Sequence, residues 1–138
     1  MKQLLYSSSV EGKKENIKPV VLDILEAASS LKPGEDALFS LELSLRELMA
    51  NAIEHGMTTD SQGDILVQLR LEKGRRIVLQ VRDGGEGFDW KNTDFSCSDP
   101  YLEKGRGISL ISSLVNEISF NCRGNEAKVI IDLGAEYG

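Results

Sequence analysis

The chain is 138 residues long, 41% hydrophobic and 28% charged, enough apolar material for one compact domain spanning 1–138 with a full core. A formal net charge of -6 argues against wholesale binding of a nucleic-acid backbone. One histidine and two cysteines, Cys97 and Cys122, in no ligand spacing, argue against a zinc site. The cysteines read as free thiols of a reducing compartment. Met1 to Tyr6 lacks the apolar core of a signal peptide, and no segment approaches the length of a membrane span. A cytoplasmic location, with no membrane and no direct nucleic-acid partner, is the expectation.

In chain order, Leu4 to Ser8 reads as a short edge strand, followed by a polar connection through Gly12-Lys13-Lys14. From Pro19 a helical pattern begins, with proline in the first turn, where its missing N–H costs little. Ile17, Val20, Val21, Ile24, Leu25, Ala28 and Leu31 recur on one face, and Lys32-Pro33-Gly34 ends the helix. A longer helix starts near Asp36, with Leu38, Leu41, Leu45, Leu48, Met49 and Ala52 as its buried stripe and Gly56 as a C-terminal cap. After a polar loop from Thr58 to Gly63, Asp64 to Leu71 alternates with Ile65, Val67, Leu69 and Leu71 on one face. Glu72-Lys73-Gly74-Arg75 reads as a hairpin turn into a strand over Ile77 to Val81.

That strand runs into Val81-Arg82-Asp83-Gly84-Gly85-Glu86-Gly87-Phe88-Asp89. The glycines let the backbone turn sharply and approach a flat or anionic group closely. An aspartate at the strand end, beside that glycine floor, can accept a hydrogen bond from a ligand amine. The segment from Trp90 to Lys104 lacks periodicity and is long for a connector, which predicts a lid or binding loop. Gly105-Arg106-Gly107 then opens a short helix, Ile108 to Val115. Two last strands, Glu117 to Cys122 and Ala127 to Leu133, flank a turn at Arg123-Gly124-Asn125. Helices in adjacent pairs and strands in hairpins predict an α+β fold, a two-layer α/β sandwich whose mixed, mostly antiparallel sheet is covered on one face by helices.

On the second helix Glu47, Asn51 and His55 are four residues apart and form a polar stripe, read as facing away from the buried one. Asparagine is a poor interior helix residue, so Asn51 weakens the helix unless it has a task. A carboxylate one turn from an amide oxygen suits a proton acceptor beside a hard-cation ligand. Gly105-Arg106-Gly107 would present free N–H groups and a guanidinium to phosphate oxygens.

Glu47-Leu48-Met49-Ala50-Asn51-Ala52-Ile53-Glu54-His55-Gly56 resembles the helix motif of the GHKL ATPase superfamily. Asp83-Gly84-Gly85-Glu86-Gly87-Phe88 resembles its adenine-binding glycine box, and Gly105-Arg106-Gly107-Ile108 its second glycine box. The order of the inferred elements also matches, so the resemblance covers nearly the whole chain. Asn-Ala-Ile-x-His-Gly after the glutamate is most similar to the bacterial anti-sigma-factor serine/threonine kinases. The resemblance implies a histidine-kinase-like ATPase fold that binds ATP and ADP with Mg²⁺. It implies Asn51 as the Mg²⁺ ligand, Asp83 as acceptor for the adenine amine, and Gly85 and Gly87 along the base. It places Gly105, Arg106 and Gly107 at the phosphates, and makes Glu47 the catalytic residue that orients or deprotonates a partner's hydroxyl. The partners it implies are a sigma factor, an anti-anti-sigma protein of the STAS type, and a second copy in a homodimer.

His55, the one histidine, reads as a helix-end residue beside the site, since a histidine autokinase carries its acceptor on a separate helical hairpin. Many relatives place a threonine near the adenine in the last strands. Here Asn125-Glu126-Ala127-Lys128-Val129 has none. A nucleotide-dependent binding module without transfer activity, and a stand-alone ATPase of a phosphorelay, are the alternative functions. Glu47 favours the kinase, because a pure binding module has no use for a base there.

Overall fold

The computed structural model describes residues 2–56, 64–73, 75–83, 111–120 and 126–133. Strand β1 (Gln3–Glu11) leads through a single 3₁₀ turn into helix α1 (Ile17–Ser29). Helix α2 (Glu35–Gly56) follows, then strands β2 (Asp64–Glu72) and β3 (Arg76–Arg82). Residues 111–114 are helical and precede strands β4 (Glu117–Phe120) and β5 (Glu126–Asp132).

α1 starts two residues earlier than the proline signal predicts. Pro19 is its third residue, and an N–H there would have no intrahelical partner in any case. Asn16 spends its amide on the preceding strand, donating from Nδ2 to the Glu11 carbonyl at 2.9 Å. At the other end Ser29 and Ser30 turn back on the Glu26 and Ala27 carbonyls. The left-handed turn falls on Lys32, at φ 50°, because Pro33 disfavours the helical region for the residue before it. Arg75, from the β2–β3 turn, holds this corner: its Nη2 donates to the carbonyls of Leu31 at 2.8 Å and Lys32 at 3.4 Å.

α2 carries Glu35 and Asp36 in its first turn, where they complement the helix dipole. It is helical through Gly56, so the glycine predicted as a cap is itself the last helical residue. Arg46 and Glu42 pair at 3.0 Å one turn apart.

The sheet order is β1-β2-β3-β5-β4, and every described pairing is antiparallel, where the sequence reading allowed a mixed sheet. β1 is an edge strand as predicted, but longer, with an irregularity between Leu4 and Tyr6. Register places Val67 opposite Val81, Leu69 opposite Leu79 and Leu79 opposite Val129, so the alternating apolar residues share one face. Against that face pack Val20, Val21, Ile24 and Ala28 of α1 and Leu41, Leu45, Leu48, Met49 and Ala52 of α2. Burying each large aliphatic side chain stabilises the fold by about 1.5–3 kcal/mol. Leu38, offered for the same stripe, is only partly buried. Val78 is buried as well, on the opposite face between Arg70 and Ile130, which the alternation does not anticipate. That face carries a lateral polar chain: Gln68 donates to Ser7, Arg70 to Gln68 and Gln80, and Gln80 to Glu126.

The predicted lid from Trp90 to Lys104, the loop over 58–63 and the turn over 123–125 lie outside the described residues. So do Ile108 to Leu110 of the third helix, and Cys122.

Candidate functional site

Among the described residues, the buried polar and charged side chains are Ser40, Ser44, Asn51 and Asp83. Three of them lie on α2, and the fourth directly follows the central strand β3. The cleft at the start of α2 is lined by Gly34, Glu35 and Ser40 together with Ile131 and Leu133 from the end of β5. The Leu133 N–H donates to the Arg75 carbonyl at 2.7 Å, so this end is also where β3 begins. From Glu35 to Asn51 the helix rises about 24 Å at about 1.5 Å per residue. From Arg75 to Asp83 the strand advances about 26 Å at about 3.3 Å per residue. Asn51 and Asp83 therefore reach the same end of the helix–sheet layer.

Asn51 is 8% exposed and Asp83 6% exposed. A carboxylate this buried at a strand end needs polar partners, as does a buried amide. Glu47, one turn before Asn51, is half-buried. The sequence reading set the Glu47–Asn51 stripe apart from the buried face of α2. The structure corrects this: Asn51 is buried, and the stripe is the edge of the buried arc. Residues of a helix three, four or seven apart share an edge. By that spacing Ser40, Ser44, Glu47 and Asn51 make one continuous polar seam along α2. Sequence reasoning missed Ser40 and Ser44, although their spacing to Asn51 was the available signal.

Gly85, Gly87, Gly105, Arg106 and Gly107 lie outside the described residues, as does the His55 side chain. Among the described residues no group of three or more His, Cys, Asp or Glu side chains comes together around a metal position. A hard cation would be held here by the Asn51 amide oxygen with oxygens brought by a ligand, a donor set that suits Mg²⁺. The site end is not where the 680 Å³ cleft sits: that cleft lies at the opposite end of α2, beside Pro33, Asp132 and Leu133. No described helix is long and apolar enough to cross a membrane.

Known proteins resemble this chain in sequence and in fold. The family described as the Histidine kinase-like ATPase domain matches residues 10–131. A relative from Anoxybacillus flavithermus, the "Anti-sigma F factor", is 26% identical over 106 residues, 74% of this chain and 72% of its own. The "Serine-protein kinase RsbW" of Bacillus subtilis is 24% identical over 117 residues, 79% of this chain and 72% of its own. A crystal structure of RsbU and RsbW domains from Mycobacterium tuberculosis superposes with a TM-score of 0.65 at 18% identity, over 91% of this chain and 31% of that one. This structural likeness establishes the shared α+β architecture.

Proposed function

The chain belongs to the histidine kinase-like ATPase domain family, and from that membership we propose that it is an ATP-binding anti-sigma factor and protein serine/threonine kinase. In this reading residues 1–138 act as one ATPase domain in a partner-switching system. The chain holds a sigma factor, and phosphorylates a STAS-type anti-anti-sigma protein on a serine or threonine. The observation that carries the reading is the match over 10–131, joined by relatives named for both activities across about three quarters of the chain. A cytoplasmic homodimer completes the proposal.

The chemistry assigned to each residue follows from its type and position. Asp83 accepts from the adenine amine, a fixed acceptor at the end of a central strand. Gly85 and Gly87 let the chain pass close to the base. Asn51 would hold a Mg²⁺ ion by its amide oxygen, and that ion would supply positive charge to the phosphates. Gly105, Arg106 and Gly107 donate to phosphate oxygens. Glu47 accepts the proton of the partner's hydroxyl as that oxygen bonds to the terminal phosphorus and the bond to the ADP oxygen breaks. In this reading His55 is not a phosphoacceptor.

The test is incubation of the purified chain with terminally labelled ATP, Mg²⁺ and a candidate STAS-type protein. Label on a serine or threonine of that protein, absent with Glu47→Gln, supports the reading. Unlabelled protein across all candidates, with ATP still bound, leaves a nucleotide-dependent binding module.

A further inference from the structure

One polar atom in the seam of α2 is left unused by the fold. Ser44 is fully buried, and among the described residues its hydroxyl has no hydrogen-bond partner. A buried hydroxyl without a partner destabilises a protein, and alanine at this position would remove the penalty and favour the helix. A partner for it can come from a second rotamer of a neighbouring side chain or from a molecule bound at the site. Ser44 stands three residues before Glu47 and seven before Asn51, on the edge of α2 that both occupy. Helical side chains lean toward the helix N-terminus, so the longer Glu47 side chain leans back over the turn that holds Ser44. Glu47 is half-buried, and its carboxylate does not accept from Ser44 in this structure.

We propose that Ser44 is the positioning residue for Glu47. When nucleotide and the partner's hydroxyl fill the site, Glu47 turns into the seam and one carboxylate oxygen accepts from the Ser44 hydroxyl. The second oxygen is then held toward the attacking hydroxyl, whose proton it takes. This rests on the reading of Glu47 as the base. It adds the group that selects the productive orientation of that carboxylate, and it accounts for a hydroxyl that folding alone would discard.

The test compares the full-length wild type with Ser44→Ala, Ser44→Cys, Glu47→Gln and the Ser44→Ala/Glu47→Gln double variant. Single-turnover transfer from labelled ATP to a STAS-type protein is read beside ATP titration and thermal melting. Ser44→Ala should melt no lower than wild type, bind ATP within about twofold, and transfer about ten- to hundredfold more slowly. Ser44→Cys, of similar size and a weaker donor, should fall between the two. In the Glu47→Gln background the same Ser44→Ala change should alter the rate by less than about twofold, because the two side chains act as one unit. Ser44→Ala at the wild-type rate would overturn the proposal and leave the base reading standing. An equal loss with and without Glu47 would overturn it too, since Ser44 would then act elsewhere. Glu47→Gln at the wild-type rate would instead overturn the base reading, and the proposal with it.

Discussion

Asn51 and Asp83 are buried at the same end of the helix–sheet layer, one on α2 and the other at the close of β3. Helix and strand rise at different rates per residue, and the two spans match in length from the Arg75 corner onward. Two polar side chains that the chain keeps far apart thus face one region, each exposed by less than a tenth. That region is the proposed nucleotide site, and the Arg75 corner is remote from it.

Asp83→Asn replaces an obligate acceptor by an amide that can present its donor to the adenine amine. ATP and ADP affinity should fall by about 1–3 kcal/mol, roughly ten- to hundredfold. Isothermal calorimetry reads this directly, and unchanged affinity removes Asp83 from the adenine contact.

Asn51→Ala should bind ATP without the strengthening that Mg²⁺ gives the wild type. The fold should persist, since alanine is the better helix former. Titrations with Mg²⁺ and with EDTA, checked by circular dichroism, decide the point. A full Mg²⁺ effect in the variant would exclude Asn51 as the ligand.

Glu47→Ala and Glu47→Gln should both keep ATP affinity near wild type while transferring phosphate about 10²–10⁴ times more slowly. Loss of ATP binding in both variants would move Glu47 from the chemistry to the structure of the site. The pair is needed because alanine removes the side chain and glutamine keeps its shape.

Arg75→Ala should cost about 1–2 kcal/mol of stability, because the carbonyls of Leu31 and Lys32 lose a charged donor at the corner of α1. The site lies at the far end of β3, so ATP affinity should be unchanged. Chemical denaturation and the calorimetric titration together test this. A stability equal to wild type would show that water replaces the guanidinium without loss.

Leu45→Ala opens a cavity where the side chain is fully buried between α2 and the sheet. The expected loss is about 2–5 kcal/mol, depending on how far the surroundings collapse. Urea unfolding with an unchanged slope and a lower midpoint would confirm a packing defect.

Local periodicity was enough to specify the elements and their faces. Ile65, Val67 and Leu69 alternate, Val20, Val21, Ile24 and Ala28 recur at helical spacing, and both sets are buried, while Leu71, Ile17, Leu25 and Leu31 of the same faces are only partly buried. Motif order was enough for the family, because Glu47, Asn51 and Asp83 with their neighbours are contiguous in short stretches. The strand order was decided by the tertiary structure, since β5 inserts between β3 and β4 through pairings between distant segments. So was the buried state of Asn51. Read along α2 alone, the Glu47–Asn51 stripe is polar and belongs outside. Packed on the sheet, it becomes the margin of the core and brings Ser40 and Ser44 into the same seam. A helical pattern specifies which residues share a side. How far burial extends around that side depends on what packs against it, and segments remote in the chain supply that.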